Sequence, residues 1–503
     1  MYLRAGVFSL GLLLLSRVLG LLRESVQAAA FGSSGMGDVV IVMFTLPDLL
    51  VGIFLSGALA YVLLPHWAQQ GAAEQNASQK KVAKTLIAAG VVLGLAIWLL
   101  QDFLAQALAP GLKGDMKALG ASSLVWSAVV LPLAMLAALW TTRLQHERDF
   151  IGMYAGNLLF NFVLVAALLL VAAGAMGAGA TAGLGLFLVL AMLARLGWLG
   201  WRLRRDLVPV AGPIKGAGGM ELPKASVWIW AGLSSGLLLL LPLVGRSIAS
   251  QGGEGALASF NYAWKLVELP LVLAVQLVAS LAFPAITRTE TGTPERERAL
   301  QLAFSLAWAL ACAAVAVVAT FSLPLAGLLF GWGRMGADKL EIIAQWSAIG
   351  VWSLLPQALI AVLLTVMAIS QRMHVAVWAY VAGLLALLML GWAGAGEHDG
   401  AAKGAAVMWM LDAVLAAVAL VLLVAERKSL RRTFPWLACL VPLLASLLLI
   451  SLKPLFAALS LQLIMILCCV YGLLVVGSAV LASPLLRGLL FERLGRGAFP
   501  VNS

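Results

Sequence analysis

Long apolar runs, broken by short polar or Gly- and Pro-containing turns, follow one another from end to end of the 503-residue chain. They do not alternate with period two, so they do not carry the pattern of a membrane β-barrel. Most reach the about 20 residues that a helix needs to cross hydrocarbon. Windows of about 19 residues predict fourteen spans: 6–31, 39–65, 83–108, 120–141, 150–173, 177–201, 226–250, 256–285, 299–322, 341–369, 375–393, 404–425, 433–451 and 459–483. Pro47, Pro132, Pro242, Pro270 and Pro356 fall inside them. Membrane helices tolerate such interruptions where neighbours re-satisfy the backbone. The opening MYLRAGVFSLGLLLL resembles a secretory signal, but apolar character continues past Arg17 to Phe31 without a small-residue cleavage site. It reads as a retained first span. The expected fold is an all-α polytopic membrane protein.

Composition agrees. Hydrophobic residues make up 63% and charged residues 11%, against about 25% charged in a soluble domain. The polar stretches 66–82, 202–225 and 286–298 are too short to house a soluble domain, so the function lies within the membrane. A formal charge of +11 raises the question of nucleic acid, but the basic residues are scattered among the turns between spans. Counting alternate turns, 22 Lys and Arg fall on one side and 6 on the other, and the other 5 of the 33 lie within or at the edge of spans. That asymmetry implies an even number of spans with both termini cytoplasmic. It gives no nucleic-acid partner.

Cys312, Cys439, Cys468 and Cys469 all sit in apolar runs and read as small buried hydrophobes rather than a disulfide framework. His66, His146, His374 and His398 have no metal-binding or catalytic spacing, and no GxxxxGK[ST] loop is present. No metal, cofactor or enzymatic activity is expected.

A weak internal repeat organises the spans. Arg23 precedes a Gly-rich turn (32–38) and a span containing Leu46-Pro47; Arg246 precedes the turn SQGGEG and a span containing Leu269-Pro270, in both cases 223 positions later. This divides the chain into lobes at 1–225 and 226–430, six spans each, with 431–503 adding two spans and a cytoplasmic tail.

Charges buried in oil are costly: about 2.5–3.5 kcal/mol each at the bilayer centre even on insertion scales. Here they concentrate in spans 1, 2, 7 and 8, as Arg17, Arg23, Glu24, Asp48, Arg246, Lys265 and Glu268. Arg17 and Glu24, seven residues apart, share a helix face, with Arg23 about 120° away. Lys265 and Glu268 are spaced to pair. Two readings stand: internal ion pairs that fix helix packing, or a water-filled cavity between the halves whose cations bind an anionic substrate. Arginine suits phosphate because its planar fork donates two hydrogen bonds and stays charged. Asp38, at the start of span 2, reads equally as an acid favoured by its own helix dipole or as a gating residue. Asp412 and Arg195 lie outside the cluster.

The segment Ser16-Arg17-Val18-Leu19-Gly20-Leu21-Leu22-Arg23-Glu24 resembles the opening of the MurJ (MviN) family. So do Phe31-Gly32, Gly37-Asp38, Phe44-Thr45-Leu46-Pro47-Asp48-Leu49-Leu50, Gly57-Ala58 and Pro65, and Tyr262 to Pro270 resembles the family's span-8 motif. The resemblance implies two six-helix lobes plus two helices, in the multidrug/oligosaccharidyl-lipid/polysaccharide exporter superfamily. It also implies a flippase in the bacterial inner membrane that moves an undecaprenyl-diphosphate-linked glycan, lipid II foremost, by alternating access. Substrate binding then falls to Arg17, Arg23, Lys265 and Arg246, and gating or charge pairing to Glu24, Asp38, Asp48 and Glu268. The implied partners are the polyprenyl-linked glycan, membrane lipids and cell-wall synthesis proteins, with the chain a monomer. Val51 and Gly52 stand where the family often carries arginines, Asp48 where it has asparagine and Lys265 where it has arginine. An exopolysaccharide or O-antigen repeat unit is thus an alternative cargo. A drug/cation antiporter of the superfamily would favour an acid-dominated cavity, and a membrane glycosyltransferase or ligase would need acidic or His residues in a sizeable outer loop.

Overall fold

The computed structural model describes residues 2–53, 59–206, 222–271, 293–370, 372–394, 400–430, 433–456 and 459–488, and among them there is no strand. The helices are α1 (Tyr2–Phe31), α2 (Gly35–Ile53), α3 (Leu59–Ala68), α4 (Ala72–Leu99), α5 (Gln101–Leu108), α6 (Gly114–His146), α7 (Phe150–Ala172), α8 (Ala180–Asp206) and α9 (Ala225–Ser250). Then come α10 (256–271), α11 (Pro294–Phe330), α12 (Ala337–Gly350), α13 (Leu354–Ile369), α14 (Met373–Ala393), α15 (Ala401–Ala425), α16 (Arg427–Leu430), α17 (Trp436–Ser451) and α18 (Leu461–Ala482).

Ten of these spans are long and apolar enough to cross a membrane, or eleven if the bent halves of α9 count as one. The chain is an all-helical, multi-span membrane protein, and the test reaches ten or eleven rather than fourteen for identifiable reasons. The expected span 39–65 is shared between α2 and the ten-residue α3, and its residues 54–58 lie outside the described residues. The second half of span 256–285 lies outside them too. α17 has 16 residues, and α1 carries Arg17, Arg23 and Glu24.

Two compact units form, one from Met1–Ser259 with Phe330–Gly336, the other from Phe260–Leu329 with Ala337–Ser503. In the first, a continuous core joins α1, α2, α6, α7 and α8 through residues such as Val26, Val40, Met43, Val130, Leu164 and Leu188. α4 meets α6 through Gly90 and Gly94, one turn apart. A Cβ on Gly90 would come within 2.6 Å of the Pro132 Cα, and one on Gly94 within 2.6 Å of the Ala128 carbonyl oxygen. Small residues at i and i+4 let two membrane helices approach backbone to backbone. Gly94→Ala should therefore lower the thermal midpoint in detergent, since overpacking a close contact costs about 1–3 kcal/mol. The control Gly197→Ala in α8, whose added Cβ meets nothing within 4 Å, should leave it unchanged.

In the second unit, α11 is bent at Phe321 (φ −111°, ψ 25°), one turn before Pro324. The bend frees carbonyls, and Lys453 Nζ donates to the Ala319 oxygen at 3.1 Å. Phe321, Phe456 and Tyr471 pack edge to face and tilted against one another, which fastens α18 to α11. α12 and α13 are separated by a 3₁₀ turn at Val351–Ser353.

Candidate functional site

The first unit gathers its intramembrane charges around α2. Ile41, Phe44, Thr45 and Asp48 recur at i, i+3, i+4 and i+7 and share one face. Thr45 Oγ1 donates to the Ile41 carbonyl at 2.6 Å and accepts from Arg246 Nη2, on α9, at 2.7 Å. Arg23 Nη2, on α1, donates to Glu24 Oε1 at 2.8 Å and to Asp48 Oδ2 at 3.0 Å, and its guanidinium lies 5.8 Å from the centre of the Phe44 ring. Arg23 and Glu24 are buried at 9% and 5% exposure, whereas the Asp48 side chain is 46% exposed. Pro47 lacks the N–H that would bond to the Met43 carbonyl, and the Ser127 hydroxyl of α6 donates to that oxygen instead. The arrangement anchors two cations from two helices against a third helix and leaves one acid facing outward.

Arg17, two turns before Glu24 on α1, is exposed and makes no ion pair among the described residues. Its neighbour Ser16 accepts a hydrogen bond from Asn157 of α7 at 2.7 Å, which fixes this part of α1. Lys265 and Glu268 belong to the second unit and form a partly exposed i,i+3 pair at 2.8 Å. An exposed pair of this kind contributes little stability.

Asp38, in the first turn of α2, is almost wholly buried. Its Oδ2 accepts from the Gly255 N–H at 2.8 Å and its Oδ1 from the Ala258 N–H at 2.7 Å, so it caps the N-terminus of α10. Glu254 returns the contact, with Oε1 accepting from the Gly35 N–H at the start of α2 at 3.0 Å. Ser33 adds a hydrogen bond to the Gly255 carbonyl at 2.7 Å and one shared with Ser259. Gly255 adopts φ +77°, and a Cβ there would strike the Ser33 backbone. The same end of the unit receives residues 330–336: Arg334 N–H donates to the Ala29 carbonyl at 2.9 Å, and Trp332 Nε1 to Ser25 Oγ at 2.9 Å.

Sequence reasoning missed four residues of these networks. Thr45 and Ser33 carry no sequence signal beyond being hydroxyls near charged spans. Glu254 sits in the noted SQGGEG turn, where a lone acid among glycines was a usable clue. Arg195, placed outside the cluster from its distance along the chain, is buried at 2% exposure on α8 within electrostatic reach of Asp48. Among the described residues no group of three or more His, Cys, Asp or Glu could hold a metal ion.

Many apolar helices, a charge cluster held inside one helical unit and mutually capped helix ends define an integral membrane protein of transporter type. A family model described as "Lipid II flippase MurJ" matches residues 27–462, and the chain belongs to the MurJ family. A lipid II flippase MurJ of Burkholderia cenocepacia is 26% identical over 358 residues, covering 67% of each chain. A solved structure of lipid II flippase MurJ in an inward closed conformation superposes with a TM-score of 0.76 at 15% identity, over 97% of this chain and 100% of that one. An inward-facing multidrug-resistance MATE transporter follows at 0.61 and 14% identity, over 83% and 95%. These likenesses establish an all-helical fold of the MurJ and MATE type.

Proposed function

We propose that this chain is a flippase that moves a polyprenyl-diphosphate-linked glycan, lipid II in the first place, across the bacterial cytoplasmic membrane. The observation that carries the reading is the convergence of Arg23 and Arg246, from α1 and α9, on one face of α2. A buried and a partly buried arginine, held by acids and a hydroxyl, are a preorganised receptor for a diphosphate, which can displace Asp48 from Arg23 at the exposed side of the cluster. Arg17 and Lys265 supply further cations. Glu24 and Asp48 balance the charge when the site is empty, Glu268 holds Lys265, and Asp38 keeps one end of the first unit closed. The head group crosses by alternating access, driven by membrane potential or an ion gradient, while the prenyl tail stays in lipid. We place both termini in the cytoplasm, and we take the repeat to mean two pseudo-symmetric six-helix lobes, 1–225 and 226–430, with 431–503 as an addition. The chain acts as a monomeric transporter, not an enzyme, in contact with membrane lipids and cell-wall synthesis proteins.

Reconstitution tests this reading. Vesicles containing the chain should expose lipid II head groups on the far leaflet faster than empty vesicles; equal rates would sink it. Arg17→Ala should slow that exposure at least about tenfold, the loss of one charge-assisted contact, without lowering the thermal midpoint, because Arg17 has no ion pair among the described residues. A second reading, an exopolysaccharide repeat unit as cargo, is favoured by the apolar Val51 and Gly52 where the family often carries arginines. Competition between the two lipids in the same vesicles decides between them.

A further inference from the structure

A second candidate binding site lies wholly within the second unit, away from the charge cluster. It is an open cavity of about 470 Å³ bordered by Ser322, Glu341, Gln345, Trp352, Trp409 and Lys453. Its lining is graded. Glu341 is four residues into α12, about 6 Å along the helix, and Lys453 stands in the turn after α17. Ile349 is twelve residues into α12, about 18 Å, and Trp409 eight residues into α15, about 12 Å. The polar end therefore sits near the helix ends and the apolar end toward the middle of the span.

The polar groups are poorly used by the protein itself. Glu341 and Lys453 border the same cavity without forming an ion pair, and Glu341 has no hydrogen-bond partner among the described residues. The indole N–H groups of Trp352 and Trp409 have no acceptor among them either. Lys453 gives one hydrogen to the Ala319 carbonyl freed by the bend in α11, which fixes its position and leaves two donors. A separated carboxylate and ammonium, with an apolar floor that includes Trp352 and Trp409, match a ligand that carries both charges at one end and hydrocarbon at the other.

We infer that this cavity binds a zwitterionic aminophospholipid: Lys453 holds its phosphate, Glu341 its ammonium, and the region of Ile349, Trp352 and Trp409 the start of an acyl chain. A quaternary ammonium head cannot donate to Glu341, and an anionic head without an amine leaves that carboxylate unpaired. The site thus prefers phosphatidylethanolamine to both phosphatidylcholine and phosphatidylglycerol.

The test is native mass spectrometry of the full chain released from micelles doped with equal amounts of the three lipids. The wild type should retain one phosphatidylethanolamine at least about threefold over either competitor, a difference of about 0.65 kcal/mol. Glu341→Gln should reduce that retention to the phosphatidylcholine level, and Ala348→Trp, which fills the cavity, should abolish it. Glu341 is exposed, so the first variant should stay folded, shown by an unchanged thermal midpoint. Equal retention of the three lipids, a preference for phosphatidylglycerol, or a preference that survives both variants overturns the assignment. The readout is binding, so it stands or falls independently of the transport reading.

Discussion

Arg23→Ala should abolish translocation and destabilise the first unit together. The guanidinium pairs with both Glu24 and Asp48, at 2.8 and 3.0 Å, and Glu24 is nearly out of reach of solvent. Removing one partner of a buried pair takes away the charge that balanced the other, a penalty of up to about 3–5 kcal/mol. The loss of activity would then be ambiguous, and two companion variants separate folding from binding. Arg23→Lys keeps the charge but not the fork, so it should fold and transport roughly 10–100-fold more slowly, the loss of a bidentate contact. Arg23→Ala with Glu24→Gln removes the charge that Arg23 had balanced and should recover most of the thermal midpoint, yet no transport. Wild-type head-group exposure by that double variant would remove Arg23 from the substrate site.

Why Arg23 was readable in the sequence and its surroundings were not follows from what each contact depends on. A charge in an apolar run is conspicuous at any position, so α1 and α2 announced themselves through Arg17, Arg23, Glu24 and Asp48. The i,i+3 spacing of Lys265 and Glu268 is a local property, and their ion pair is a local contact. The Thr45–Arg246 and Asp38–Gly255 contacts join residues more than 200 positions apart, and only the packing of α2 against α9 and the start of α10 creates them. Local reasoning read Asp38 as an acid favoured by its own helix dipole or as a gating residue, and neither reading named the N-terminus of α10, which the carboxylate caps. The span count has a related dependence. A hydropathy window averages over neighbouring positions, so it read 39–65 as one stretch, of which α2 and α3 carry the described parts.

Asp38→Ala is the second decisive change, and its effect should be local before it is functional. The variant leaves the Gly255 and Ala258 N–H groups without acceptors in a buried turn. Loss of an N-terminal cap costs about 0.5–2 kcal/mol, and losing a negative charge at a helix N-terminus adds up to about 2 kcal/mol in a buried setting. A combined effect of about 2 kcal/mol should raise hydrogen exchange at those two amides about 30-fold, with little change in α7 or α8. Asp38→Asn retains acceptor oxygen but not the charge, and should fall between. Glu254→Ala frees only the Gly35 N–H, and its exchange should rise less than tenfold. The two caps tie the same pair of turns together, so the double variant should be less than additive, because the first loss already opens what the second would release. If closure of this end is a step in transport, Asp38→Ala will slow head-group exposure at normal protein levels while Gly94→Ala, which weakens packing elsewhere, slows it only in proportion to lost protein. Exchange at 255 and 258 that matches the wild type would mean that Asp38 holds nothing shut.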